Sequence, residues 1–491
     1  MFPYDSIRDF AAALEAEGKL LKINEMDQDR YEMTAFSYTL ENRLKAHSPA
    51  FLVEKTKMDK RWYDTPVIAN ILGSYGAVAR CFGADPAHIN DNHCEMHDLA
   101  VKQILSCLDD NSKWKAIAPT IVDKQDAPCK EVILEGDDAD LLKFPWIKNN
   151  PADGGRFISA GSVIMDDPEL GRNVGTYRMH IKGPRKAGLC FTPVSHAYKY
   201  MMRAAERGEE SVPVSVAIGL DPISWMMSST RVADENEDEF ALAGGFRGKP
   251  VELVKSESND LYVPARAEFI LEGEIPMGTE EEGPYGELFG YIGKKQSTFY
   301  MNITKISHRK NPWVYNLWPG IGGAYLTLPW DVSHFARLKQ IMPNLVKLYT
   351  PVETPAIIIA SIDKRLPGEG IEGGMLILGN RMTGFSKRVV IMVDKDIDPV
   401  DTSRVMHAVG TRWQPYPASL IAKQSSHMPV DPSCREMFLS SKIVIDATRQ
   451  LSSEGGPEIF PDDNRTVMDE RAADAFELVE AKWDEYFTKK P

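Results

Sequence analysis

Ala267-Glu-Phe-Ile-Leu-Glu-Gly-Glu-Ile275 and Ser297-Thr-Phe-Tyr-Met-Asn-Ile-Thr-Lys-Ile306 are strand-like segments on either side of Glu282-Gly-Pro-Tyr-Gly-Glu287. Three earlier runs have the same character and are separated by Pro, Gly and Asp residues: Glu131–Leu134, Ile158–Met165 and Ser215–Gly219. Short strands punctuated by turn residues predict an antiparallel sheet or barrel in the middle of the chain. One helix, at about His196–Gly208, interrupts them.

The two ends of the chain have other patterns. Apolar spacing predicts N-terminal helices at Tyr4–Leu21, Met33–Ala46 and His93–Leu108, with a buried strand in Pro66–Gly73. After Pro329, helices and strands alternate: Ser333–Ile341, Ala356–Asp363, Met375–Thr383, Arg388–Val393 and Thr402–Val409. A last helix is predicted at Asp469–Phe487. We therefore expect a mixed α+β and α/β protein in three parts, residues 1–115, 116–320 and 321–491.

Composition limits the function classes. A length of 491 residues predicts roughly three domains. The formal net charge of -14 argues against general nucleic-acid binding, which needs a basic face. No apolar run is long enough to cross a membrane, and Met1–Asp9 lacks a signal-peptide core. Six cysteines without a CxxC pair are too few for a disulfide framework. A cytoplasmic protein without membrane partners is expected.

Glu282-Gly-Pro-Tyr-Gly-Glu287 is the most unusual local motif. Its Gly and Pro residues favour a tight turn that holds two carboxylates close together. Two close carboxylates cannot both ionise freely, so one pKa rises, and a carboxyl protonated near neutral pH is suited to general acid catalysis. The alternative is a solvated acidic loop, because Glu280 and Glu281 are adjacent. Spacing alone favours that alternative.

Arg178 ends the strand-like segment that begins at Asn173. An arginine is suited to bind a substrate carboxylate or to orient a glutamate. In an unbroken strand, Asn173 and Arg178 would lie on opposite faces, so one shared site requires a bulge or an Asn173 in the preceding turn. Asn173, His196 and Glu239 together would form a divalent-metal site for Mg²⁺ or Mn²⁺. Their spacing alone does not group them.

Two further motifs are weaker. Gly368-Glu-Gly-Ile-Glu-Gly373 matches the GxGxxG string of dinucleotide-binding proteins, but its glutamates would face the pyrophosphate. We interpret it as a loop. His93 and His97 share a helix face without a companion motif, and this pair is interpreted as the start of a helix.

Taken in order, these segments resemble the UbiD-type decarboxylases. The similarity spans most of the chain and is densest from Asn173 to about Gly290. It is carried by Glu252-Leu-Val-Lys255, Asn259-Asp-Leu-Tyr-Val-Pro264, Glu268, Leu271-Glu-Gly273, Gly283-Pro-Tyr-Gly-Glu287 and Gly290-Tyr291. The resemblance implies reversible, non-oxidative decarboxylation of an aromatic, heteroaromatic or α,β-unsaturated acid through a covalent adduct with prenylated FMN.

The resemblance also implies roles for individual residues. Glu287 would protonate the product, while Arg178 and Glu282 would form an ion pair that handles the substrate carboxylate. Asn173, His196 and Glu239 would hold Mn²⁺ (or Mg²⁺) at the flavin phosphate. The remaining cofactor contacts and the K⁺ site would come from a further set: Ser159, Thr176, Tyr177, Ser228, Thr230 and Arg381. Arg381 departs from the family, in which some relatives carry Lys.

The implied fold is a split β-barrel flavin-binding domain with a helical N-terminal part and an α/β C-terminal oligomerisation domain. The implied partners are an aromatic carboxylate, CO₂, a flavin prenyltransferase as cofactor supplier, and further copies in a homodimer or homohexamer. Trp318 and Tyr325 are candidates for an aromatic pocket wall or, equally, for the core. Two other functions remain open: an FMN-dependent oxidoreductase on a similar barrel, and a non-catalytic subunit.

Overall fold

The N-terminal part of the computed structural model packs four helices on a small sheet. The structure describes residues 2–320, 323–380, 384–434, 436 and 438–486. The helices are α1 Ile7–Ala16, α2 Glu32–Leu44, α3 Tyr75–Cys81 and α4 His93–Leu105. The strands are β1 Leu20–Asp27, β2 Ala50–Met58, β3 Arg61–Tyr63 and β4 Val67–Ala69. The predicted first helix stops early, because Gly18, with φ +68°, turns the chain into β1.

The middle of the chain is rich in short strands, as predicted. In chain order they are β5 Thr120–Ile121, β6 Val132–Glu135, β7 Phe157–Ile158, β8 Ser162–Asp167, β9 Gly171–Thr176, β10 Met179–Gly183, β11 Lys186–Leu189, β12 Ser211–Ile218, β13 Glu252–Lys255, β14 Tyr262–Pro264, β15 Phe269–Pro276, β16 Glu280–Glu282, β17 Tyr285–Gly286, β18 Ile292–Gly293, β19 Gln296–His308 and β20 Val314–Asn316. Three helices lie between them: α5 His196–Glu206, α6 Pro222–Ser229 and α7 Glu239–Arg247.

Ten of these strands form one sheet that curls on itself. Its order is β7-β10-β11-β19-β15-β12-β8-β9, and β6 and β16 also pair with β19. β7 and β9 are the two ends of this order, yet β9 is joined to β10 by only Tyr177 and Arg178. The short connection brings the two ends together and leaves an open seam between them. Arg178 lies at that seam. β20 leaves this region and pairs with β4 in the N-terminal sheet.

The C-terminal part is an α/β layer structure. Its strands are β21 Leu345–Tyr349, β22 Ile357–Ile362, β23 Val389–Asp394, β24 Ser419–Ser426 and β25 Leu439–Asp446, in the order β21-β22-β23-β25-β24. Its helices are α8 Gly323–Ile341, α9 Glu369–Gly379, α10 Thr402–Thr411, α11 Asn464–Arg471 and α12 Ala473–Ala481. The central pairs are parallel and both edge pairs are antiparallel. The predicted mixed fold class is confirmed, although the predicted tail helix is divided at Ala472.

The prediction of a loop at Gly368–Gly373 is wrong, because Glu369 begins α9. The glycines of this segment serve packing. A side chain on Gly370 would overlap the Asp446 carboxylate, and one on Gly374 would overlap Val444 of β25. The Glu369 carboxylate accepts hydrogen bonds from backbone amides just before the helix. The backbone amides of this turn are therefore hydrogen-bonded to an acidic side chain of the same segment.

The histidine pair is at a helix start, as interpreted. His93 is the first residue of α4, and His97 is buried against Tyr75. Across the residues with a described structure, no helix combines the length and the apolar character needed to cross a membrane.

Candidate active site

Glu282 and Glu287 face the interior. Glu282 ends β16, whose pairing with β19 turns its side chain inward and leaves it fully buried. Its neighbours Glu280 and Glu281 are partly exposed and pair with Lys186 and Lys295. All three residues belong to strand β16, so the alternative of a solvated acidic loop is wrong for this segment.

Glu287 follows β17 and is held by its backbone. Its amide donates to the Tyr291 carbonyl at 2.7 Å, and its carbonyl accepts from Gly290 at 2.9 Å. Gly293 leaves room for the carboxylate, because a Cβ there would lie 2.6 Å from Glu287 Oε1. The side chain is 14% exposed. Glu287 is thus the more accessible of the two inward carboxylates.

Arg178 joins both carboxylates. Its Nε and Nη2 atoms each donate to a different Glu282 oxygen at 2.9 Å, which makes a bidentate pair. Its Nη1 atom donates to Glu287. The guanidinium also lies 4.9 Å from the centre of the Tyr285 ring. The three residues predicted as catalytic therefore meet in one cluster.

Burial and charge set the protonation of the cluster. Burial raises the pKa of Glu287; Arg178 opposes this effect, and Glu282 adds to it. Burial acts to lower the pKa of Arg178, but the paired carboxylates of Glu282 and Glu287 outweigh it, so the pKa is raised. Arg178 is therefore always charged, whereas Glu287 holds a proton at higher pH than an ordinary glutamate.

Several residues near the cluster were not predicted from the sequence. Burial raises the pKa of the Cys190 thiol beside Arg178 to about 11, so it is neutral. Burial lowers the pKa of His180 to about 4, and its neutral ring lies 3.4 Å from the Gly283 amide. Asp153 accepts a hydrogen bond from Gly286. These residues come from distant segments and have no motif, so sequence reading had no signal for them.

The three metal-ligand candidates also come together, lining one small cavity. His196 begins α5 and Glu239 begins α7, while Asn173 lies within β9. Val174 donates its amide to Glu239 at 2.9 Å, which ties β9 to α7. Asn173 and Arg178 do not lie on one unbroken strand, because β9 ends at Thr176 and β10 begins at Met179. Neither of the two arrangements predicted from the sequence, a bulge or an Asn173 in the preceding turn, is present.

The chemistry of this cavity fits a divalent cation. Glu239 is 6% exposed, and burial raises the pKa of its carboxyl to about 8, so the carboxylate lacks a compensating charge. Burial also lowers the pKa of His196, which keeps the imidazole neutral and able to ligate. The Asn173 amide nitrogen is buried without a hydrogen-bond partner. In the described parts of the chain, no group of three His, Cys, Asp or Glu residues is placed to hold a metal ion. The proposed set differs from such a group because its third member is Asn173.

The predicted hydroxyl residues fall into two groups. Thr176 Oγ1 lies 3.0 Å from Ser228 Oγ at the end of α6, where Thr230 is also buried. Tyr177 packs its hydroxyl near the Ala197 amide at the start of α5. Ser159 donates to a different residue, Asn316, at 3.1 Å. Arg381 lies outside the described residues.

Trp318 and Tyr325 are core residues. The Trp318 indole donates to Thr34 at 3.0 Å and its ring lies 5.9 Å from that of Phe51. Tyr325 is 1% exposed and packs edge-on against Tyr75. These contacts support the second alternative, in which both residues belong to the core and not to an aromatic pocket wall.

The C-terminal part reaches the segment after Glu287. The ring of Phe289 lies 6.1 Å from the ring of His427, which is fully buried. His427 Nε2 and Asp431 are hydrogen-bonded at 2.9 Å, and Asp431 also pairs with Arg388 at 3.0 Å. The active-site turn therefore lies between the central sheet and the C-terminal part.

Three family models match this chain in sequence. The 3-octaprenyl-4-hydroxybenzoate carboxy-lyase (UbiD) N-terminal domain matches residues 11–95, its Rift-related domain residues 120–329, and its C-terminal domain residues 327–447. A phenolic acid decarboxylase of Sedimentibacter hydroxybenzoicus is 31% identical over 471 residues, which cover 92% of this chain and 93% of that protein.

Solved structures agree with the sequence matches. The open form of vanillic acid decarboxylase from Sedimentibacter hydroxybenzoicus has a TM-score of 0.81 at 29% identity, covering 97% of this chain and 99% of that chain. The UbiD-class enzyme HmfF from Pelotomaculum thermopropionicum, in complex with FMN, has a TM-score of 0.78 at 26% identity, covering 96% and 100%. An evolved dimeric form of HmfF in complex with prFMN has a TM-score of 0.76, with the same identity and coverage. The chain therefore belongs to the UbiD family and is a carboxy-lyase.

Proposed function

We propose that this protein catalyses the reversible, non-oxidative decarboxylation of an aromatic or heteroaromatic carboxylic acid with prenylated FMN. The proposal also includes α,β-unsaturated carboxylic acids as substrates. The observation that carries the proposal is the bridge that Arg178 makes between the buried Glu282 and the more accessible Glu287. The phenolic and vanillic acid decarboxylases among its relatives, and the FMN and prFMN bound by HmfF, support it.

Each residue of the cluster has a separate task. Arg178, held in place by the bidentate pair with Glu282, presents a fixed positive charge toward a substrate carboxylate. Prenylated FMN, when bound, supplies the electron sink that lets CO₂ leave, through a covalent adduct with the substrate. Glu287 then gives its proton to the product carbon. In the carboxylation direction, the same carboxylate would take the proton back.

The pH dependence follows from the direction of the Glu287 shift. A proton donor must be protonated before each turnover, so the rate falls as pH rises through its pKa. Because burial raises that pKa, the proton remains bound closer to neutral pH than on an exposed glutamate. The shift therefore favours activity near neutrality.

The cofactor would be anchored along β9. Asn173, His196 and Glu239 are proposed to hold Mn²⁺ or Mg²⁺, which would neutralise the flavin phosphate. Additional polar contacts to the flavin and K⁺ are assigned to a second set: Thr176, Tyr177, Ser228, Thr230 and, less directly, Ser159. Arg381 is a further proposed phosphate contact. A prenyltransferase would supply the modified flavin, and the protein is proposed to act as a homodimer or homohexamer.

Expression with and without a flavin prenyltransferase tests the function. The purified protein is analysed for cofactor mass, flavin absorbance and CO₂ release across a panel of aromatic, heteroaromatic and unsaturated acids. Prenylated flavin with CO₂ release only after coexpression is expected. Unmodified FMN with redox turnover would instead indicate an FMN-dependent oxidoreductase. Absence of flavin under every condition would indicate a non-catalytic subunit.

Replacing His196 with alanine tests the metal site. We expect this variant to lose divalent metal and flavin together, since the ligand set would keep only Asn173 and Glu239. Metal content is measured by elemental analysis and flavin by absorbance after release. His407→Ala, at an exposed position on α10, is the matched control and should keep both. A full flavin complement in the His196 variant would show that the assignment is incorrect.

A further inference from the structure

A short loop from the central part packs behind the turn that carries Glu287. Asp153, which is 4% exposed, accepts a hydrogen bond from the Gly286 amide at 2.9 Å through Oδ1. Its other oxygen, Oδ2, accepts from the Asn150 amide at 2.9 Å. Both carboxylate oxygens are thereby engaged by backbone donors, so the orientation of the side chain is fixed.

The same loop contacts the turn at a second point. The Gly154 amide donates to the Pro284 carbonyl at 2.8 Å. A side chain on Gly154 would overlap the Gly283 carbonyl, so the close approach requires glycine. The loop therefore holds the backbone on both sides of Tyr285, the residue whose ring lies against Arg178.

We propose that Asp153 is a positioning residue for the reaction: with Gly154 it clamps the turn so that the Glu287 carboxyl is presented to the substrate. The residue it holds, Gly286, directly precedes Glu287. The proposal rests on the proposed function, because the residue that Asp153 positions, Glu287, is the proposed proton donor. Asp153 bonds to the backbone amides of Gly286 and Asn150, so it acts on Glu287 through the backbone of the turn.

Charge supports the same role. The titratable and charged groups around Glu287 are Arg178, Cys190, Glu282, Tyr285 and Asp153. The Asp153 charge acts in the direction that raises the pKa of Glu287. Removal of this charge alone should lower that pKa, since a like charge disfavours ionisation. Asp153 thus affects Glu287 through two separable effects, position and charge.

Three variants separate these effects in the flavin-loaded enzyme. Asp153→Asn keeps one acceptor oxygen for the Gly286 amide but loses the charge and the second acceptor. The alkaline limb of its pH–rate profile should move down by about half a pH unit or more, with a smaller loss of maximal kcat than in Asp153→Ala. Gly154→Ala keeps the charge but displaces the loop, so kcat should fall roughly 10- to 100-fold while the limb stays in place. Asp153→Ala should show both effects. KM should change little in all three.

Amide hydrogen exchange gives a readout that does not need activity. Residues 284–288 should exchange faster in Asp153→Ala and in Gly154→Ala than in the wild type. Asp110→Asn, at an exposed position, is the control and should match the wild type in rate, pH profile and exchange. If Asp153→Ala does not fold, the comparison is made with Asp153→Asn and Gly154→Ala.

The outcomes distinguish the two proposals. Unchanged exchange at residues 284–288 together with wild-type kcat in Gly154→Ala would overturn the clamp, whatever the reaction is. If the pH–rate profile of Asp153→Asn is the same as that of the wild type, the Asp153 charge does not affect the pKa of Glu287. A wild-type enzyme that releases no CO₂ from any acid would overturn the proposed function, while faster exchange in the variants would still support the clamp.

Discussion

Decarboxylation is expected to fall by about 10²- to 10⁴-fold when Glu287 is replaced with glutamine. The amide has nearly the same shape as the carboxyl and still accepts a hydrogen bond from Arg178, so the cluster should remain assembled. It has no proton to give at neutral pH. Flavin and metal content should therefore match the wild type, while CO₂ release under saturating substrate falls.

The control for this variant is Glu281→Gln. Glu281 lies on β16, the strand before β17, but it is exposed and pairs with Lys295 at 2.7 Å. Its replacement should leave kcat and the pH profile unchanged. The residual rate of Glu287→Gln should also lose its alkaline limb, because the titrating group has been removed. If Glu287→Gln decarboxylates at the wild-type rate, another group is the proton donor.

The second large effect is expected from Arg178→Ala. Glu282 is fully buried, and Arg178 is its only ion-pair partner among the described residues. A buried carboxylate that loses its partner destabilises a protein by about 3–5 kcal/mol. Urea unfolding at neutral pH should show a loss of this size, and decarboxylation should be abolished because the fixed charge for the substrate carboxylate is gone.

The deficit has a defined physical cause. Without Arg178, the buried Glu282 carboxylate would be a charge without a partner, and an unpaired charge is unfavourable in a buried site. The double variant Arg178→Ala with Glu282→Gln removes both charges and should recover most of the stability at neutral pH. Equal stability of Arg178→Ala and wild type would contradict this account.

The helices and strands could be predicted from the sequence because each type depends on the spacing of apolar residues within a short segment. The alternation of β22, α9 and β23 followed from apolar periodicity, with errors only at the boundaries. The segment at Gly368–Gly373 shows where this reasoning failed. Its glutamates argue against dinucleotide binding and favour a loop, but its glycines allow α9 to approach Asp446 and Val444, which are distant in sequence. Close packing overrode local preference at that position.

Local patterns predicted the strand-rich middle and the α/β final third, and the family resemblance pointed to Arg178, Glu282 and Glu287. That these three residues meet, and that Glu281 does not join them, follows from the fold alone. The pairing of β16 with β19 sets which carboxylates point inward, and the sheet seam brings Arg178 to them. The position of Asp153 behind the turn could not be predicted from the sequence, for the same physical reason. Contacts between residues far apart in sequence leave no periodic pattern, because they arise only when the sheet curls and packs.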